Sequence, residues 1–387
     1  MKILIIHNNY SSNSISGENI VFNNEVFLLK QKLGEESIFT YDVSNDNINI
    51  INLLFSIWFS FKHYYKVKQI IKDNKIDIVH VHNFYPVLTP SIFKASKDAG
   101  AKTIHTLHNY RLWCISGTFY RDGIGICELC TKKAHLFSGI KYKCYRNKFF
   151  TSLLAQMSFW FYKSIKVFDN IDIYFVLTEF QKNKVIELGL DQEKVFNKPN
   201  SIKKFILHQQ HKSGYIFVGR LEESKGIIQL LEMWRLLDKE YILQVIGSGD
   251  LEQYLQREYK NVPNITFLGK CTRDDTIKYI SQSQYLIQPS LLYETFGLTI
   301  LEAMMVGTPV IGFNIGTRAD FIKHEYNGFL CNKDTFKDTV IQSYKYLDYN
   351  ILSNNAISTA LKYEDSILIQ HQIEIYQKVL SKKRDEH

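Results

Sequence analysis

The chain has 387 residues, 45% of them hydrophobic and 22% charged, with a formal net charge of +8. That length exceeds one ordinary core and points to about two domains, and the composition excludes wholesale disorder. The surplus charge is uneven: residues 1 to 200 carry 25 Lys and Arg against 17 Asp and Glu, whereas residues 201 to 387 carry 22 of each. Thr131 to Phe168 holds eight basic residues and no acidic one, a field suited to an anionic partner.

In chain order, the opening MKILIIHNNY has a short apolar run, Ile3 to His7, of the buried parallel-strand type. It reads as a strand rather than a signal peptide, so a cytoplasmic location is expected. Ile20 to Leu33 is amphipathic and reads as a helix, and Leu53 to Lys72 mixes aromatic bulk with lysine. Ile76 to Val81 and Thr103 to Leu107 read as further strands, separated by a helical stretch from Pro90 to Asp98. His82 and His108 stand at the ends of these two strands, where a side chain can face a ligand or serve as a hydrogen-bonded structural histidine. Cys114, Cys127, Cys130 and Cys144 lie close together, with a C-x2-C at 127 to 130. In a cytosolic protein, metal binding is favoured over disulfides, and four thiolates would make a closed structural zinc site; four unligated thiols is the equal alternative. Lys141 to Lys166 again interleaves aromatics with lysine, which fits an interfacial helix on anionic lipid or a core-packed helix with a basic rim. No nucleic-acid-binding signature accompanies the basic residues, so no nucleic acid partner is expected. Ile171 to Leu177 reads as the next strand, and Asn200 to Ser213 as the junction between halves.

The second half repeats the rhythm, with strands expected at Tyr215 to Val218, Tyr241 to Ile246, Ile265 to Leu268, Tyr285 to Ile287 and Pro309 to Ile311. Gly226 to Leu237 and Leu298 to Val306 read as helices between them. Arg220 and Lys225 then fall at a strand's carboxyl end beside a helix N-terminus, a good place for a diphosphate, though a solvated pair would look the same. Gly247 and Gly249 form a glycine turn, by itself a weak signal, and the full G-x-G-x-x-G fingerprint of a nicotinamide dehydrogenase is absent. Glu294 precedes a helix that carries Glu302, a spacing of two helical turns that would let both carboxylates reach one site. Repeated β-α units of this kind imply parallel sheets with helices on both faces.

The string from Pro289 to Met304, with Glu294 and Glu302, closely resembles the E-x7-E signature of family 4 glycosyltransferases, which have the GT-B fold. The Gly-Arg…Lys-Gly segment, the glycine turn, the stretch Gly312 to Leu330 and the T-L-H-N-Y-R string at 106 to 111 fall in that family's order. The resemblance implies two Rossmann-like, doubly wound α/β domains facing across a cleft. It implies that Arg220 and Lys225 hold the diphosphate of a nucleotide sugar, that Glu302 accepts from ribose hydroxyls and Glu294 from sugar hydroxyls, and that the N–H groups of Phe296, Gly297 and Leu298 face the phosphates. It places His108 beside the reacting sugar, His82 on the acceptor side, and Gly17 in a loop near the donor phosphates that has one glycine instead of the usual two. The cysteine-bearing segment is similar to an insertion in a subset of bacterial polysaccharide glycosyltransferases. No Asp-x-Asp occurs, so catalysis is expected to need no metal or other cofactor.

The expected organisation is an acceptor domain over 1–200 with an insertion at about 112–148, a donor domain over 201–365, and a final helix over 366–387 packing back on the first domain. The expected activity is retaining transfer from a nucleoside diphosphate sugar to a growing, lipid-linked glycan of a capsule, O-antigen or lipopolysaccharide. It would take place on the inner face of the cell membrane, against an anionic surface. A phosphorylase or synthase of the same fold and a non-catalytic sugar-nucleotide or lipid-binding partner are the alternatives.

Overall fold

The computed structural model describes residues 1–9, 17–46, 50–132, 137–205 and 211–381. Two compact units emerge: Met1–Gly117 with Glu128–Ser201 and Asp365–His387, and Thr118–Cys127 with Ile202–Glu364. The chain passes between them in the expected junction, at Ser201, though residues 206–210 of that junction lie outside the described set.

The first unit is built on β1 (Ile3–Asn9), β2 (Ile38–Ser44), β3 (Ile78–Asn83), β4 (Lys102–Thr106), β7 (Ile173–Val176) and β8 (Val195–Asn197); the hairpin strands β5 (Tyr120–Arg121) and β6 (Gly125–Ile126) intervene in sequence. Its sheet runs β2-β1-β3-β4-β7-β8, every pair parallel. Strands β1 and β3 are buried almost throughout, as their unbroken apolar runs require of central strands with both faces covered. At the sheet edge, β2 alternates between covered and exposed positions, and the sequence reading passed over it for that reason. The helix Asp365–Ser381 lays Ile369, Ile373 and Tyr376 into the core around Ile3, Ile5, Phe22 and Phe175. These are successive turns of one helix face.

The second unit contains β9 (Tyr215–Val218), β10 (Leu243–Ile246), β11 (Ile265–Gly269), β12 (Tyr285–Gln288), β13 (Val310–Phe313) and β14 (Gly328–Cys331). They are ordered β11-β10-β9-β12-β13-β14, again all parallel. This is the Rossmann order, in which the direction of winding reverses between β9 and β12. The first sheet reverses in the same way between β1 and β3. At such a point the connections on either side leave in opposite directions and open a crevice at the carboxyl edge of the sheet. The core beneath is fixed by Trp234, fully buried, with Tyr215 and Tyr285 stacked beside it.

Ten residues of the expected insertion, Thr118–Cys127, cluster with the second unit, whereas the sequence reading gave all of 112–148 to the first. The antiparallel hairpin of β5 and β6 lies in that segment, and Tyr120 is buried in the second unit's core. Two-residue strands leave no periodicity to read.

Candidate active site

In the second unit the predicted donor residues gather where the winding reverses. Gly219 and Arg220 follow β9, Lys225 closes a short turn at Glu223–Lys225, and Glu294 lies in the loop after β12. Backbone contact joins these loops: Leu291 N–H donates to the Ser224 carbonyl at 2.9 Å. Gly226 takes φ 71°, and a Cβ there would stand 2.0 Å from the Pro289 carbonyl oxygen, so only glycine admits this approach. The approach brings Lys225 Nζ to 2.6 Å from Glu294 Oε1, with the two side chains 19% and 15% exposed.

Glu294 has further support. Ser290 Oγ lies 2.8 Å from its Oε1. The Arg318 guanidinium, wholly buried, donates from Nε to the Phe313 carbonyl at 2.6 Å and from Nη2 to the Ser290 carbonyl at 2.8 Å. Burial pushes the Glu294 carboxyl up, but Lys225 and Arg318 together with the hydrogen bonds more than offset it, and its pKa falls below the ordinary value. Burial also lowers Arg318, to about 10, which leaves it charged at neutral pH. Sequence reasoning missed Arg318 because its partners, Phe313, Ser290 and Glu294, come together only in the fold.

Glu302 occupies the second turn of the helix Leu298–Met305 and receives Arg273 Nη2 at 2.7 Å. Glu294 is not on this helix, so the two-turn spacing does not place it; the loop after β12 does. Arg220 is mostly exposed and paired with Glu222 at 3.0 Å. Each of the four predicted charged residues thus has a counter-charge within its own unit, and two of those partners, Arg273 and Glu222, were not foreseen.

The glycine turn has a packing reason. Gly247 sits at φ 140°, with a Cβ position 1.8 Å from the Gly219 carbonyl oxygen, and a Cβ on Gly249 would lie 2.5 Å from the Leu221 carbonyl. These contacts press the turn after β10 against the Arg220 loop, where Leu221 N–H donates to the Ser248 carbonyl at 3.0 Å. Gly297, at φ 106°, caps the helix that carries Glu302; Leu298 is its first residue, and the Phe296 ring packs on Phe321 and Tyr363. The hairpin also reaches this region: Tyr120 OH and Gly123 N–H both donate to Glu223 Oε1, at 3.1 and 2.7 Å. It braces the turn that presents Lys225.

In the first unit, Gly17 opens the helix Gly17–Leu33; the rest of its loop, residues 10–16, lies outside the described set. His82, in β3, and His108, just past β4, are brought together, with His82 Nδ1 2.9 Å from His108 Nε2 and the rings stacked. Behind them His82 Nε2 meets Glu25 Oε1 at 3.1 Å. The sequence reading named His82 but not Glu25.

Cys114 and Cys331 are buried, and Cys127, Cys130, Cys144 and Cys271 are partly exposed. Among the described residues, the set whose ligand atoms converge closely enough for a metal is Glu25, His80 and His82; Cys114, Cys127, Cys130 and Cys144 do not form such a group.

Rossmann winding, with cations and a carboxylate gathered at the reversal point, defines a class of α/β proteins that hold phosphorylated ligands at the carboxyl edge of a sheet. Comparison narrows the class. The description "Glycosyltransferase Family 4" matches residues 25–203 and "Glycosyl transferases group 1" matches residues 200–362. The chain belongs to the family 4 type of GT-B glycosyltransferases, the two family models together matching residues 25–362. It is 32% identical over 172 residues to an uncharacterised glycosyltransferase of Methanocaldococcus jannaschii, a match covering 42% of this chain and 44% of that relative. The matched stretch is thus under half of that relative's length. It is 25% identical over 303 residues to the UDP-Gal:alpha-D-GlcNAc-diphosphoundecaprenol alpha-1,3-galactosyltransferase of Escherichia coli, covering 74% and 71% of the two chains. Anabaena HepE, solved with UDP, shares the fold at TM-score 0.67 and 16% identity, over 98% of this chain and all of that one.

Proposed function

We propose that the protein moves a sugar from a nucleoside diphosphate sugar to a growing glycan in cell-surface polysaccharide synthesis, with retention of configuration. The observation that carries this reading is the set of charged groups at the β9/β12 reversal, where Lys225 pairs with Glu294, Arg220 lies in the same loop as Lys225, and Glu302 lies on the following helix. In the reaction the bond from the sugar's anomeric carbon to the diphosphate oxygen breaks, a bond from that carbon to an acceptor hydroxyl oxygen forms, and the hydroxyl's proton passes to the departing diphosphate. The leaving diphosphate takes negative charge, which Lys225 and Arg220 stabilise in place of a metal. Lys225 is paired with Glu294, so a diphosphate would share or take that cation and leave Glu294 to accept from sugar hydroxyls. Glu302, similarly shared with Arg273, accepts from the ribose. The related galactosyltransferase and the UDP-bound neighbour support this choice of donor class.

The acceptor is proposed to be lipid-linked and the enzyme to sit on an anionic membrane. No helix among the described residues is long and apolar enough to cross a membrane. The two aromatic-basic segments meet in the first unit, where Trp58 packs edge-on against Phe161 and Tyr162 donates to the Ile57 carbonyl. Their outward residues include Phe55, Phe61, Phe150 and Trp160, each more than 60% exposed, among Lys62, Lys66 and Lys163. Aromatic bulk with interspersed lysine matches a membrane interface. A zinc site on Cys114, Cys127, Cys130 and Cys144 is kept as a proposal, since metal–thiolate bonds rather than packing would draw the sulfurs together; near-unit zinc content is expected, and its absence removes the site.

The deciding experiment is donor turnover by Lys225→Ala and Glu294→Ala variants with UDP- and GDP-sugars. Loss in both supports the assignment, and unchanged turnover in both refutes it. Turnover that depends on inorganic phosphate would identify a phosphorylase instead.

A further inference from the structure

The sequence offers no account of Glu25, a carboxylate 4% exposed in the middle of the helix Gly17–Leu33. A buried carboxylate is costly unless its oxygens are satisfied, and here four side chains from three elements satisfy it. Lys198, just after β8, pairs with Oε2. His80 Nδ1 and His82 Nε2 from β3 reach Oε1 at 3.0 and 3.1 Å. Gln372 Nε2, from the final helix, donates to the same oxygen at 2.7 Å. Burial alone would raise this carboxyl, but Lys198, His82 and His80 hold it well below the ordinary value, so Glu25 is ionised and accepts only. Burial lowers His82 to about 3 and His108 well below its usual value, so both rings are neutral.

A neutral imidazole has one donor nitrogen and one acceptor nitrogen. Because Glu25 only accepts, the proton of His82 must sit on Nε2, and its Nδ1 becomes the acceptor. That Nδ1 is 2.9 Å from His108 Nε2, which must then carry the proton. We propose that Glu25 and His82 are positioning residues that fix His108 as its Nε2–H tautomer and leave its Nδ1 as the lone-pair nitrogen. His108 is thereby set to accept a hydrogen bond from a sugar hydroxyl rather than to donate one. This rests on the reading that His108 faces the reacting sugar. The same three side chains form a metal-like set, but Lys198 and Gln372 already occupy the oxygens of Glu25, which fits a hydrogen-bond relay and not an ion site.

The relay also gives the final helix a part in the site. Its Tyr376 OH lies 2.7 Å from His80 Nδ1, and His80 Nε2 lies 2.7 Å from Thr106 Oγ1. His80 is pinned on both sides, which leaves His82 as the ring joining Glu25 to His108.

The test is nitrogen-15 NMR of histidine-labelled full-length protein, with the two rings assigned by loss of their signals in His82→Gln and His108→Gln variants. Nε2–H is expected on both rings in the parent protein; Nδ1–H on His108 overturns the relay. In Glu25→Gln, whose amide can donate or accept, His82 and His108 are expected to become tautomer mixtures. The kcat of that variant is expected to fall by about tenfold or more, as loss of a tautomer-fixing carboxylate does elsewhere, with donor KM moving less than about threefold. An unchanged kcat overturns the positioning role. If Glu25→Gln does not fold, the parent spectrum alone decides. Unchanged turnover in His108→Ala would instead sink the reading of His108 while leaving the tautomers standing, so the two failures are distinguishable.

Discussion

Replacing Lys225 by Met removes the ammonium that lies 2.6 Å from Glu294 and keeps most of the packing volume. Breaking one partner of a mostly buried ion pair costs about 3–5 kcal/mol, because the other charge stays behind in a poor solvent. The lower end applies here, about 3 kcal/mol, since Arg318 still acts on Glu294 and Ser290 still bonds it. Glu294→Gln keeps shape and leaves Lys225, 19% exposed, partial access to water, so about 1.5 kcal/mol is expected. The double variant loses a pair that no longer exists, and its cost falls short of the sum by about 1–2 kcal/mol. The chain has four tryptophans, and Trp234 alone belongs to the second unit. Urea unfolding followed by Trp234 fluorescence, with Trp58, Trp113 and Trp160 replaced by Phe, therefore reports on the unit that holds the pair. Costs that add to within about 0.5 kcal/mol would show that the two groups do not interact and would refute the reasoning. The same variants carry a functional signature. Glu294→Gln frees Lys225, so a nucleoside diphosphate without its sugar is expected to bind this variant at least as tightly as the parent, while turnover of the sugar nucleotide is lost.

Gly247→Ala places a methyl group on the Gly219 carbonyl at a left-handed φ, and is expected to destabilise the second unit by more than about 2 kcal/mol; Gly269→Ala, also at positive φ but with nothing within 4 Å of the added carbon, should cost about 1 kcal/mol. Equal effects on the Trp234 transition would mean that backbone conformation, and not the close approach, sets the cost. His105 is buried neutral with its pKa lowered from 6.5 to about 4, so its stabilising contribution is complete above 6.5 and is lost as pH falls through 4. About 2 kcal/mol is gone by pH 5, and a His105→Gln variant should lose correspondingly less stability between pH 7 and pH 5 than the parent; parallel pH profiles would contradict this. Phe150→Ser with Trp160→Ser removes two exposed aromatic rings from the basic face and should weaken binding to phosphatidylglycerol vesicles by about tenfold or more. Undiminished cosedimentation would return that face to an ordinary solvated surface.

What could be read in the sequence, and what could not, follows the range of the interactions involved. Strands β9 and β12 and the helix carrying Glu302 announce themselves because burial on both faces, or on one stripe, writes a local period into the residues. Arg220, Lys225 and Glu294 are legible because loops at a sheet's carboxyl edge must carry them. The spacing argument for the two carboxylates does not hold as stated, since the loop after β12, not the helix, presents Glu294. Strand β2 escaped because an edge strand alternates and resembles a polar loop. Arg318, Arg273 and Glu25 escaped for a different reason: each acquires its meaning from a partner that lies 24, 29 and 173 residues away, at Glu294, Glu302 and Lys198. A lone charged residue in a helical pattern is ordinarily solvated, so only the fold shows that Glu25 is buried and must be answered by four donors. This places the two kinds of residue on opposite sides of one physical division. Groups that touch a ligand sit at loop ends and are visible as motifs, whereas groups that orient them are buried, paired at long range, and visible only once the chain is folded.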